Sequence, residues 1–144
     1  MSTEDNKALV LRVLEEIINK GNLALADEII ASDYTYRSPG SPELRGPEGF
    51  KQLVQMYITA FPDLHMTVEE QIAEGDSVVT RWVGTGTQHG ELMGVPPTGK
   101  QATVDGIVIS RIVNGKVVGE TEIFDAMGLM QQLGAMPVPA GAAA

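Results

Sequence analysis

The stretch VDGIVISRIVNGKVVGETEIF, Val104 to Phe124, decides the fold. Two β-rich runs, Val104 to Val113 and Lys116 to Phe124, flank Asn114-Gly115. Asn-Gly between such runs is a strong hairpin signal, because both residues accept the positive φ that a tight turn needs. Upstream, Leu64, Met66, Val68 and Ile72 alternate with polar residues, and Val78 to Thr87 returns across Glu74-Gly75-Asp76 as a second hairpin. A Gly/Pro-rich loop from Gly90 to Lys100 joins the two hairpins. Before Pro62 the apolar period is near 3.6 instead. Phe50, Leu53, Val54, Tyr57, Ile58 and Phe61 form one helical face behind Pro47, a residue suited to a helix's first turn. Val10, Val13, Leu14, Ile17 and Ile18 form another, capped by Ser2 or Thr3 and ended by Gly21. Asn22 is expected to cap a short helix over Leu23 to Ala31, and Tyr34 to Ser38 reads as a brief strand. A last helix is expected from about Ala126 to Leu133. Helices first and hairpins afterwards predict an α+β domain, with helices packed on one face of an antiparallel sheet.

The bulk numbers fit one such domain. A chain of 144 residues makes one sizeable core, and only 5% of it is aromatic, so aliphatic side chains carry the packing. The 19 acidic against 10 basic residues leave a net charge of −9, which repels phosphates and disfavours nucleic-acid and anionic-membrane partners. With no cysteine, disulfides, thiolate nucleophiles and Cys-ligated metals are excluded. Met1 to Lys7 is unlike a signal peptide, and no apolar run approaches the ~20 residues that span a bilayer, so a cytoplasmic location is expected. Residues 138–144 are expected to form a flexible tail behind a domain of residues 1–137.

Three ordered motifs carry a resemblance. They are Ala60-Phe61-Pro62-Asp63-Leu64; then Gly84-Thr85-Gly86-Thr87 with Gly94-Val95-Pro96-Pro97-Thr98-Gly99-Lys100; and Asn114-Gly115-Lys116 followed by Asp125 and Gln131-Gln132-Leu133-Gly134. Together they resemble the SnoaL-like polyketide cyclases, of the cone-shaped fold similar to nuclear transport factor 2, and the resemblance runs to Pro137. It implies N-terminal helices on a curved antiparallel sheet and intramolecular aldol ring closure. It also implies no metal, no organic cofactor and pairing as a homodimer through the open sheet face.

In the family, a buried carboxylate on the last long strand moves the proton. The resemblance carries that role to Glu122, with Asp125 following it. This chain departs from the pattern around the site. Glu122 has one methylene more than the cyclase Asp, and the family histidine falls near Val108. Gly119 and Thr121 replace Glu and Trp, and Gln88 stands where the Gly-Thr-His motif has its histidine, His89 coming one place later. The hairpin has two candidate registers. A two-residue turn sets Ile107 opposite Glu122, whereas a bulge at Gly115 sets Gly106 opposite Glu122 and Val108 opposite Glu120; the family's His–Asp pairing favours the second. Gly106, Val108, Ser110, Glu120, Glu122 and Phe124 then share one face. Two carboxylates there push their pKa values apart, as acid/base work requires.

Glu122 and Asp125 are therefore the catalytic candidates, though Asp125 also suits the cap of the helix behind it. Tyr36, Tyr57, Trp82, Gln88, Val108, Glu120 and Phe124 are the substrate-binding candidates. His65 and His89 lack metal-ligand spacing. Ser38 stands where ketosteroid isomerases carry an Asp base, and no Arg lies two places before Asp105, as limonene-epoxide-hydrolase-like members would have. Four readings stay open: a cofactor-free acid/base enzyme acting on a small apolar carbonyl compound, a non-catalytic binder of a small apolar molecule, an epoxide-hydrolase-like member, and a structural module.

Overall fold

Both hairpins form where the period of two places them. The computed structural model describes residues 2–137; the tail expected at 138–144 lies outside them. The strands are β1 (Ile30–Arg37), β2 (Leu44–Arg45), β3 (His65–Glu74), β4 (Ser77–Thr87), β5 (Gln101–Val113) and β6 (Lys116–Phe124). They make one curved sheet in the order β2-β1-β6-β5-β4-β3, antiparallel except where β1 runs parallel to β6. The helices are α1 (Thr3–Arg12), α2 (Ala26–Ile29), α3 (Gly46–Ala60) and α4 (Ala126–Gln132).

Ser2 and Asp5 close a capping box at the start of α1. The helix continues in π geometry over Val13–Asn19. Asn19 then ties its end to the sheet, donating from Nδ2 to the Met66 carbonyl at 2.9 Å and accepting from the Met66 N–H at 2.7 Å. Gly21, at φ +72°, ends the helix in the left-handed region. The helix expected over Leu23 to Ala31 is shorter: a 3-10 turn at Leu23–Leu25 leads into α2, and Asn22 makes no side-chain cap bond. From Ile30 the chain is already extended, because Ile30 pairs with Val117 of β6, a non-local contact that overrides local helix propensity. In the Ala60-Phe61-Pro62-Asp63-Leu64 motif, Asp63 accepts from the Thr87 backbone N–H and Oγ1 at 2.7 and 2.8 Å, joining the start of β3 to the end of β4.

Two extra residues set which side chains face in. In β3, Val68 pairs with Trp82 and Glu70 with Arg81, so Glu69 bulges and the alternation changes sides. Ile72, expected to continue the inward row, consequently lies outside and is 60% exposed. In β6, Ile112 pairs with Val117 but Arg111 with Gly119, so Val118 is the bulged residue.

The inner face of the sheet and the helices enclose a core of Val10, Ile17, Ile29, Tyr34, Phe50 and their neighbours. A second cluster joins Ala60, Phe61, Leu92, Ala102, Leu129 and Leu133 beneath the Gly90–Lys100 loop and α4. A pocket draws walls from both. Among the described residues, no helix is long and apolar enough to cross a membrane.

Candidate active site

The Asn114-Gly115 turn has two residues, both at positive φ (51° and 75°), and Val113 pairs with Lys116. Neither expected register survives beyond it, because the bulge is at Val118 and not at Gly115. Val108 faces Glu122, Ser110 faces Glu120 and Gly106 faces Phe124. The six residues expected to share a face do share it, displaced by one pairing. The bulge is what makes this possible. Val117 points inward at 1% exposure, so uninterrupted alternation would bring Gly119, Thr121 and Ile123 inside. The extra residue turns Glu120, Glu122 and Phe124 into the pocket and leaves Ile123 62% exposed outside.

The pocket is walled by Val10, Leu14, Phe50, Val54, Met66, Val104 and other apolar side chains, with Glu120 and Glu122 the only carboxylates among its lining residues. The centre of a water-sized sphere can visit about 130 Å³ of it, far more than the ~10–15 Å³ that one water needs on that measure. Both glutamates are half-buried and line the pocket, so protein rather than bulk water surrounds most of each carboxyl.

A ladder of tyrosine–carboxylate bonds holds the pair. Tyr34 Oη donates to Glu120 Oε1 at 2.8 Å, and Tyr36 Oη donates to Glu122 Oε1 at 2.7 Å. Ser110 Oγ donates to Glu120 Oε2 at 3.0 Å. Burial pushes Glu122 up to about 7; the Tyr36 hydrogen bond works against that and the Glu120 charge adds to it. Burial also raises Glu120, opposed by its bonds from Tyr34 and Ser110. The tyrosines are raised too, first by burial and then by a neighbouring carboxylate, Glu120 for Tyr34 and Glu122 for Tyr36 and for Tyr57, which rises to about 12. These phenols therefore remain protonated donors at any ordinary pH. A carboxyl poised near neutrality in an apolar pocket can take a proton from carbon and return it to oxygen.

Of the substrate-binding candidates, Tyr36, Tyr57, Trp82, Val108, Glu120 and Phe124 all line this pocket with Glu122. Trp82 packs on Phe124 with ring centres 6.4 Å apart. Gln88 and Asp125 lie elsewhere. Gln88 is fully buried and spends its whole amide on the loop, donating to the Gly90 and Val95 carbonyls and accepting from Thr98 N–H and Oγ1. Asp125 is exposed and caps α4, accepting from the Gly128 N–H at 2.9 Å. Arg37 pairs with Glu43 at 3.7 Å on the surface. Tyr34 is the site residue that sequence reasoning passed over. Its only signal is the Tyr34-x-Tyr36 spacing, which matches Glu120-x-Glu122 once β1 is known to run beside β6. Among the described residues, no three His, Asp or Glu side chains converge as metal ligands would.

The family model for SnoaL-like polyketide cyclases matches residues 8–133. The chain belongs to the SnoaL-like polyketide cyclases. It is 33% identical over 138 residues to aklanonic acid methyl ester cyclase DnrD of Streptomyces peucetius, covering 92% of this chain and 94% of that one. It is 32% identical over 120 residues to nogalonic acid methyl ester cyclase of Streptomyces nogalater, covering 81% and 88%. TsrD from Streptomyces laurentii superposes with a TM-score of 0.85 at 27% identity, over 94% of this chain and 99% of that one. Against the SnoaL-like pattern, the position opposite the carboxylate is filled by Val108, 6% exposed, which offers Glu122 no hydrogen bond, whereas Tyr36 donates one at 2.7 Å.

Proposed function

We propose that this SnoaL-like chain is an acid/base enzyme that closes a ring in a small, mostly apolar carbonyl compound by intramolecular aldol addition, with Glu122 as the proton carrier. One observation supports it above the rest: a carboxyl lining an apolar pocket, bonded to Tyr36 and raised to about 7. The names of the ester cyclase relatives suggest a polyketide ester as substrate, and the family resemblance implies that neither metal nor organic cofactor takes part. The Glu122 carboxylate takes a proton from the carbon beside a carbonyl, and the C–H electron pair becomes the C=C bond of an enolate. That carbon then attacks a second carbonyl of the same molecule. The protonated Glu122 returns its proton to the new alkoxide, so nothing is consumed.

The test needs no native substrate. With α-tetralone in D2O, the protein exchanges the ketone's α-protons faster than buffer does, and Glu122→Gln loses the effect. Exchange at the buffer rate with ketone bound refutes the enzyme. Val108, in place of the family histidine, favours the second reading of a non-catalytic binder, for which that result is expected. We also propose a homodimer through the outer sheet face, where Ile72, Ile107, Ile109 and Ile123 are all exposed. Light scattering should give twice the 15.4 kDa chain mass, and Ile123→Glu should halve it; a monomeric parent protein excludes this pairing.

A further inference from the structure

Two buried side-chain atoms have no hydrogen-bond partner among the described residues, Asn6 Oδ1 and Trp82 Nε1. Only Trp82 lines the pocket, and it does so at 6% exposure. An indole N–H has no use except as a donor, and leaving it unpaired away from water costs stability. Nor can it turn aside to find solvent. The ring lies over two glycines: a Cβ at Gly106 would meet its Cε2 edge at 2.6 Å, and one at Gly84 would meet Cζ3 at 3.3 Å. Phe124 closes on it from the end of β6. The Cε2 edge carries Nε1, so the N–H lies on the β5 side. The next pair along that face is Val108 with Glu122. There the indole N–H comes near enough to the Glu122 carboxyl to favour its charged form, but outside the geometry of a formed hydrogen bond.

We propose that Trp82 Nε1–H is the oxygen subsite of the pocket, receiving the carbonyl oxygen of a flat, apolar ketone whose neighbouring C–H faces Glu122. The role in turnover rests on the acid/base function proposed above; binding the oxygen does not. When Glu122 takes the proton, the C–H electron pair forms a C=C bond and the carbonyl oxygen becomes the enolate oxygen. A donor already aimed at that oxygen in a dry site strengthens its bond as charge develops. The chemistry selected is an enolisable ketone fused to an apolar ring, and a hydrocarbon of the same shape leaves the N–H unpaired.

Trp82 is the only tryptophan in the chain, so its indole N–H gives a single NMR resonance. The probes are α-tetralone and tetralin, which share a bicycle and differ by the carbonyl oxygen. We expect α-tetralone to move the indole proton downfield and to bind about tenfold more tightly than tetralin, the worth of one good hydrogen bond. In Trp82→Phe the preference should fall to about one. Equal binding of the two probes to the unmodified protein, or an indole proton that responds identically to both, overturns the subsite without recourse to any variant. So does a preference that survives Trp82→Phe. Deuterium exchange without the indole shift would sink the subsite and leave Glu122's role standing; the shift without exchange would do the reverse.

Discussion

Glu122→Gln should make the protein more stable at pH 8 and leave it almost unchanged at pH 4.5. The amide is nearly isosteric with the protonated carboxyl and still accepts from Tyr36 Oη. In the unfolded chain Glu122 ionises around 4.5, whereas the folded protein holds the proton until about 7. Between those values the folded state binds more protons than the unfolded one, so stability falls as pH rises and levels off above the folded value. At ~1.4 kcal/mol per tenfold change, the loss is about 3 kcal/mol. Protein surrounds most of the group, so solvent screening removes little of this. The variant does not titrate there, and contributions from groups that do not interact with Glu122 cancel in the comparison. Urea unfolding followed by the single tryptophan at pH 4.5 and pH 8 measures the difference directly. The gap in favour of the variant should widen by about 3 kcal/mol between the two, equivalent to ~10 °C in Tm. A gap independent of pH, or one that narrows as pH rises, would mean that burial does not hold the proton on Glu122. The acid/base reading would fall with it.

Three further outcomes follow from the same contacts. Glu120→Gln removes a like charge while keeping an acceptor for Tyr34, so the Glu122 pKa should fall but stay above 4.5, because burial is its first cause; carboxyl-carbon NMR reads the shift. Tyr36→Phe removes the hydrogen bond that opposes burial, so Glu122 should titrate above 7 and ketone exchange at pH 7 should slow. Gly106→Ala drives a methyl group into the Trp82 indole, so it should cost about 1–3 kcal/mol and change the tryptophan emission. An unaltered spectrum would show that the ring is not clamped.

The helices and hairpins were legible because their signals are local. The Asn114-Gly115 dipeptide accepts positive φ at both places, and Phe50 to Phe61 keep one period across a whole helix. Glu122 was legible only by position within the family pattern, since nothing local distinguishes a strand glutamate that is enclosed from one in water. Tyr34 was not legible at all, because its meeting with Glu120 spans 86 residues and depends on the parallel pairing of β1 with β6. Gln88 was misplaced for the opposite reason. A polar residue near a family motif reads as a site group, but its four hydrogen bonds close the Gly90–Lys100 loop on itself.

The bulges were illegible in a more basic way, and the site depends on one of them. Counted from Val117, strict alternation turns Glu120 and Glu122 to the outer face, where each would be one more carboxylate on a surface of net charge −9. Counted from Val118 onward, the same residues meet Tyr34, Ser110 and Tyr36 inside. Val118 carries no chemistry, and the one local signal, the strand-interior Gly119, does not say which residue is the extra one. The extra residue is tolerated because it brings Phe124 onto Trp82, although it leaves Ile123 exposed beside Ile107 and Ile109 on the outer face. Had only the glutamates gained, two buried carboxyls would have opposed the flip with several kcal/mol of desolvation. Aromatic packing within the pocket therefore helps to hold the register that keeps the Glu122 carboxyl out of water.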